Sequence, residues 1–339
     1  MRAVVVPRAG EVTVADVPRP VTARYEGLVR VRACGLCNST DLKIIDDHLP
    51  NQDVPFPVVP GHEPAGEIVE VGSAVRSFAA GDAVAGPLGR LGPGSDCTRM
   101  WGGMAEYAIV QDRPVMAELG VPQSEYMADV TRTVPADMSP EHAALLLTLK
   151  EARSALDNFG FRAGMDVLVW GDGPVGLALV KFLRLAGAGW VGCIGHWDKR
   201  LKRIAQFGGA DLTLNSKTAD PAEELADRRV DLAIDAVGST GIIMRAARML
   251  KQRGKVGVYG VLGEEDATLS LVDLPNNTAV HMLNWPHGEH EVHQEVVQLA
   301  REGTIDLNHF YSHAVPLEEA ARAVEMVRTR EAFKVIFTM

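Results

Sequence analysis

Between residues 34 and 63 the chain gathers side chains that bind metals: Cys34-Gly-Leu-Cys37-Asn-Ser39-Thr40-Asp41 and, after the proline-rich run PFPVVP, Gly61-His62-Glu63. Cysteine, histidine and glutamate are all zinc ligand types, and three of them with one position left to water form a catalytic rather than a closed structural site. Alone, Cys-x-x-Cys also suits a redox motif or half of a structural zinc site. The redox reading wants a βαβ setting and the structural one a second cysteine pair, and neither accompanies it. A second constellation, GDGPVG at 171–176, follows the apolar run VLVW and opens an apolar helical stretch. There Gly171 allows a tight turn, Gly173 lets backbone amides approach a pyrophosphate, and Gly176 lets helix and strand pack closely. Pro174 and Val175 stand at the helix start, whose unpaired N–H groups and partial positive charge suit phosphates.

In this arrangement an acidic residue about 20 positions on takes the ribose 2′-hydroxyl of a dinucleotide. Here the next strand, in WVGCIGHWDKR, ends at Gly195 without a carboxylate, and His196, Lys199 and Arg200 follow. Missing acid and nearby cations favour a 2′-phosphate, hence NADP(H) over NAD(H). The alternative makes Lys199 and Arg200 a solvated helix start, with Asp198 as a displaced NAD-type acid.

These constellations need two kinds of scaffold. Residues 1–110 carry short β-branched runs, such as LVRVRAC (28–34) and AGEIVEVG (65–72), broken by Gly and Pro, which predict a mainly β domain. From Pro140 the apolar spacing becomes helical as far as Gly160. Strand-like runs then alternate with helices through VLVW, WVGCIG, VDLAIDAVG and KVGVYGVLG, predicting a doubly wound parallel sheet in an α/β domain. The tail predicts two amphipathic helices and a closing strand, FKVIF. Residues 113–133 show no clear period. With 339 residues, two domains are expected. A net charge of −10 disfavours nucleic acid as a partner. No apolar run reaches the ~18 residues that span a bilayer, the N-terminus shows no secretory segment, and four scattered cysteines fit a reducing compartment. The expectation is a cytoplasmic enzyme with no membrane partner.

Together the RAVVV strand, ACGLCNSTD, VVPGHEPAGEIVEVG, the GDAV turn, GGMAEY, the glycine turn, DAVGS and FKVIF make the chain resemble the zinc-dependent medium-chain dehydrogenase/reductases, the alcohol and polyol dehydrogenase superfamily. The resemblance implies a GroES-like, mainly β catalytic domain (1–148 and 285–339) and a doubly wound Rossmann cofactor domain (149–284). It maps metal ligands onto Cys37 and His62, with Glu63 as a third. Lys334 resembles a family position near the cofactor pyrophosphate. The implied chemistry is hydride transfer between a nicotinamide cofactor and a secondary alcohol or ketone, in a homodimer or homotetramer paired at a sheet edge. The competing classes are a zinc-free quinone or enone reductase of the same superfamily and a non-catalytic cofactor-binding protein. Cys37 and His62 argue against the first.

Three departures from the family pattern matter. The stretch GPLGRLGPGSDCTRM holds only Cys97 where a structural zinc needs four cysteines, so one catalytic zinc and no structural zinc is expected. The position at the start of the inter-domain helix that supplies a further ligand reads Leu147, so Glu63 completes the set, or Glu151 one turn later does. CNSTD carries one extra residue, leaving Ser39 or Thr40 as the proton-relay hydroxyl and Asp41 behind the metal-bound imidazole. Asp46, Asp47 and His48 suit a polyol, sugar or cyclitol better than an aliphatic alcohol. His287, His290 and His293 read as surface or interface histidines, because i, i+3, i+6 drifts around a helix.

Overall fold

The eleven-residue strand Glu26–Leu36 is the spine of the first half of the protein. Its β-branched and small residues are buried almost throughout, so it can be covered on both faces. It pairs antiparallel with Glu63–Val71, Tyr107–Gln111 and the closing strand Val335–Thr338 in an eight-stranded sheet. Its register against Glu63–Val71 shifts twice, between Leu28 and Val29 and between Val31 and Ala33. Such bulges bend and twist a strand. Gly66 sits at the second one, where a Cβ would lie 2.2 Å from the Arg30 carbonyl oxygen.

In this computed structural model residues 1–50, 52–123, 132–266, 268–284 and 287–339 are described. The chain divides into two compact units, residues 1–147 with 293–339, and residues 148–292. The sequence reading put the crossings after residues 148 and 284. The first falls inside the helix Pro140–Asn158. Within the second unit the Asn158 side-chain amide donates to the His287 carbonyl, and the Tyr259 ring stacks on His287. Both tail helices, His293–Arg301 and Ala320–Arg328, belong with the closing strand in the first unit.

The second unit is a six-stranded parallel sheet. In chain order its strands are Asp166–Trp170, Trp190–Gly195, Leu212–Asn215, Val230–Asp235, Leu250–Val258 and Ala279–Met282, and their spatial order is 3-2-1-4-5-6. That is the doubly wound order in which a dinucleotide lies across the strand C-termini. The stretch 113–133, aperiodic in sequence, contains the helix Arg113–Glu118 and the strand Arg132–Thr133, while 124–131 lie outside the described residues.

Asp112 caps that first helix and anchors a distant loop. Its carboxylate accepts from the backbone N–H groups of Arg76, Ser77 and Val115 and from the Ser77 hydroxyl. Burial pushes its pKa up, but these hydrogen bonds outweigh burial and hold it below the usual aspartate value. The stabilisation is therefore complete above the unfolded-state pKa of about 3.9 and is lost as pH falls through the lower folded value. Asp112→Ala should destabilise the protein by about 3 kcal/mol at pH 7. In urea denaturation, its gap from the unaltered protein should shrink below about pH 4.

Candidate functional site

The central strand ends at Leu36, and Cys37 is the first residue beyond it. A turn leads into the short helix Thr40–Ile45, whose second residue, Asp41, is fully buried. Asp41 Oδ2 accepts from the Cys37 backbone N–H at 2.8 Å, and Oδ1 lies 3.1 Å from His62 Nδ1. His62 enters from the other side through Gly61, whose φ of +103° is a conformation that side chains resist. A Cβ there would also strike Met104 Cγ at 2.5 Å. Glu63 opens the neighbouring strand opposite Gly35, where a Cβ would lie 2.2 Å from Glu63 Oε2. Cys37, His62 and Glu63 thus offer thiol, imidazole and carboxylate donor atoms that all lie within 4.8 Å of one another.

The donor set fits zinc. Asp41 occupies Nδ1 of His62 and leaves Nε2, 3.9 Å from Glu63 Oε1, for the metal. Burial pushes the His62 pKa down, but the Asp41 charge and hydrogen bond, with Cys37, outweigh it and raise the pKa well above the ordinary value. Cys34, the other half of Cys-x-x-Cys, points into the apolar core. Burial, with Asp41 and Glu63 close by, drives its thiol pKa well up, so it remains a protonated core residue. Ser39 is the N-cap residue of the short helix, without a side-chain capping bond, and Thr40 is its first residue.

Lys334 is buried in this same cluster. Its ammonium lies 2.8 Å from Glu63 Oε1 and 2.7 Å from Oε2, with both side chains 3 % exposed. Burial lowers its pKa, but Glu63, then Cys37 and Asp41, raise it by more, so the lysine is charged. Sequence reasoning missed this role because the pair joins residues 271 positions apart. It also missed Trp101, whose ring centroid lies 5.4 Å from that of His62 and whose φ is +65°.

In the second unit the glycine turn joins the strand Asp166–Trp170 to the helix Pro174–Leu185. Gly171 follows the strand with φ +127°, and Gly173 is the N-cap of the helix Pro174–Leu185. Pro174 and Val175 fill the first helical turn. A Cβ on Gly176 would lie 1.9 Å from the Gly171 carbonyl oxygen, whereas one on Gly173 would meet nothing within 4 Å. The first glycine permits packing and the second leaves open space for a phosphate, so the turn fits a dinucleotide. His196 and Lys199 are exposed, while Arg200 is buried, with Nη1 3.9 Å from Asp172 Oδ1. Asp172 itself escaped the sequence reading; an acid inside the turn opposite a strand-ending glycine was the available signal.

Glu151 accepts from the Tyr259 hydroxyl at 2.8 Å and lies 3.8 Å from His287 Nδ1. Of the three histidines, His287 lies beside Glu151, His290 lies 3.9 Å from Glu291, and buried His293 faces the Thr133 carbonyl at 3.0 Å.

Comparison with known proteins gives the same picture. The alcohol dehydrogenase GroES-like domain profile matches residues 23–121, and the zinc-binding dehydrogenase profile matches residues 174–302. The chain belongs to the zinc-type medium-chain dehydrogenases. It is 26 % identical to a sorbitol dehydrogenase of Bacillus subtilis (strain 168), over 96 % of this chain and 93 % of the relative. It is 27 % identical to an alcohol dehydrogenase of Cupriavidus necator, over 96 % and 94 %. Among solved structures, the alcohol dehydrogenase TADH of Thermus sp. ATN1 superposes with a TM-score of 0.80 at 26 % identity, covering 100 % of this chain and 99 % of that one. This medium-chain dehydrogenase is therefore an enzyme, an oxidoreductase of the alcohol and polyol dehydrogenase type. Among its described residues no helix is long and apolar enough to cross a membrane.

Two outcomes test the metal cluster. Because metal must displace the proton that His62 holds to a raised pH, zinc affinity should climb with pH. Chelator competition between pH 6 and 8 should show about a tenfold gain per unit for each proton displaced. Lys334→Met strands a buried carboxylate and should cost the zinc-free dehydrogenase about 3–5 kcal/mol in chemical denaturation. Saturating zinc should recover much of that loss, since Glu63 then has a cation to face.

Proposed function

We propose that this dehydrogenase moves a hydride between a secondary alcohol, of the polyol, sugar or cyclitol class, and a nicotinamide cofactor at a single zinc held by Cys37, His62 and Glu63. The observation that carries the reading is the convergence of those donors, with Asp41 buried behind His62. Zinc there supplies Lewis-acid polarisation of the substrate oxygen and eases loss of an alcohol proton near neutral pH. Asp41 fixes the imidazole, so that Nε2 rather than Nδ1 is presented. Lys334 offsets the negative charge of Glu63 and, through it, tempers the charge of the whole donor set. The Ser39 or Thr40 hydroxyl, beside Cys37 in the chain, passes the substrate proton outward.

The glycine turn would hold the cofactor pyrophosphate, with the amides that start Pro174–Leu185 as donors. A nicotinamide cofactor bound there would supply the acceptor or donor of the hydride. NADP(H), which the sequence favours through Lys199 and Arg200, would need those cations at a 2′-phosphate. Glu151, hydrogen-bonded to Tyr259, is a carboxylate suited to a substrate hydroxyl. The polyol class is supported by Asp46, Asp47 and His48 after the metal segment and by the sorbitol dehydrogenase relative.

Elemental mass spectrometry combined with turnover on polyols, ketones and enones tests the reading. About one zinc per chain is expected, lost together with at least 99 % of polyol oxidation in Cys37→Ala. Enone reduction by zinc-free protein, with polyols inert, would overturn it.

A further inference from the structure

We propose that Asp172, inside the glycine turn, reads the adenosine ribose of the cofactor and selects NAD(H) over NADP(H). The proposal rests on the reading of the chain as a nicotinamide-dependent dehydrogenase, and it reverses the preference drawn from sequence. In a dinucleotide fold the selecting acid ordinarily ends the second strand. Here that strand ends at Gly195, and the space that a side chain would need is already taken. A Cβ on Gly195 would lie 2.5 Å from Asp172 Cβ and 2.6 Å from its Oδ2. The carboxylate reaches the same strand end from the opposite side, carried by the turn instead of the strand.

Its hydrogen bonds show what it does there. Oδ2 accepts from the backbone N–H of His196 at 2.7 Å and of Trp197 at 2.8 Å. Those two amides, on the turn leaving the second strand, are donors that a 2′-phosphate would otherwise recruit. Oδ1 has Arg200 Nη1 at 3.9 Å, beyond hydrogen-bond distance, and so retains capacity to accept from a ribose hydroxyl. The two side chains are 11 % and 10 % exposed, so the charges face each other largely out of water. A phosphate dianion placed here would meet a fixed carboxylate, amides already engaged, and a guanidinium already facing a carboxylate. Lys199 is exposed, and its charge is screened by solvent. A neutral 2′-hydroxyl meets none of these obstacles and donates to Asp172.

Fluorescence titration of the zinc-loaded protein with NADH and NADPH tests the assignment without turnover. The unaltered protein should bind NADH at least tenfold more tightly than NADPH. Asp172→Asn, which keeps the shape and removes the charge, should narrow that ratio to threefold or less, chiefly by tighter NADPH binding. The paired change Asp172→Gly with Gly195→Asp returns the carboxylate to the strand end and should restore the tenfold preference. Tighter binding of NADPH by the unaltered protein, an unchanged ratio in Asp172→Asn, or no NADH preference in the paired variant would overturn the proposal while leaving the dehydrogenase reading intact. Failure to bind either nucleotide would bring down that reading and this proposal together.

Discussion

A carboxylate that water does not reach ties together the candidate metal donors. Asp41 is fully buried, and a buried charge is tolerated only when polar partners replace its hydration. Its partners are the Cys37 amide and the His62 imidazole, so the groups that satisfy Asp41 are the ones that carry metal donors. Displacing either would leave one oxygen of a buried carboxylate without its partner, so the positions of the donors are tied to the stability of the fold. The short helix Thr40–Ile45 helps, because an acid in its first turn lies at the positive end of the helix dipole.

Around that point the sheet solves a problem of charge. Glu63 stands opposite Gly35 in one register, and the closing strand pairs Ile336 with Gly35 in the other. The side-chainless residue between them is what lets the glutamate reach Lys334 across the end of the central strand. A buried lysine beside a buried glutamate contributes little net stability, since desolvation of both ions offsets most of their attraction. What it does supply is charge compensation: the carboxylates of Asp41 and Glu63 flank His62, and one fixed ammonium lessens their repulsion.

The second unit shows the same economy of backbone space in its glycines. Gly176 is needed because the helix start touches the Gly171 carbonyl, Gly173 borders open space, and Gly195 is needed because Asp172 fills its place. Close approach of main chain to main chain explains the first, and the exchange of one side chain for another across the turn explains the last. At the end of the fourth strand, buried Asp235 accepts from the amides of Val237, Gly238 and Ser239, which fixes the neighbouring loop in the same manner.

Much of this was legible in the residues themselves. Two textures of apolar spacing foretold a β-rich part and a parallel α/β part, because strand and helix periods follow from local backbone geometry. The GDGPVG turn and the Cys37, His62 and Glu63 set could be named because their types and spacing carry chemistry without knowledge of their neighbours. The pairings that span the fold could not. Lys334 reads as a cofactor-side residue until the fold sets it against Glu63. Arg200 reads as a cation at a helix start until Asp172 is seen beside it, and the core position of Cys34 shows only once the strand is folded. Local chemistry is written in residue type and spacing, whereas the charge that each group meets depends on which distant strand the sheet lays beside it.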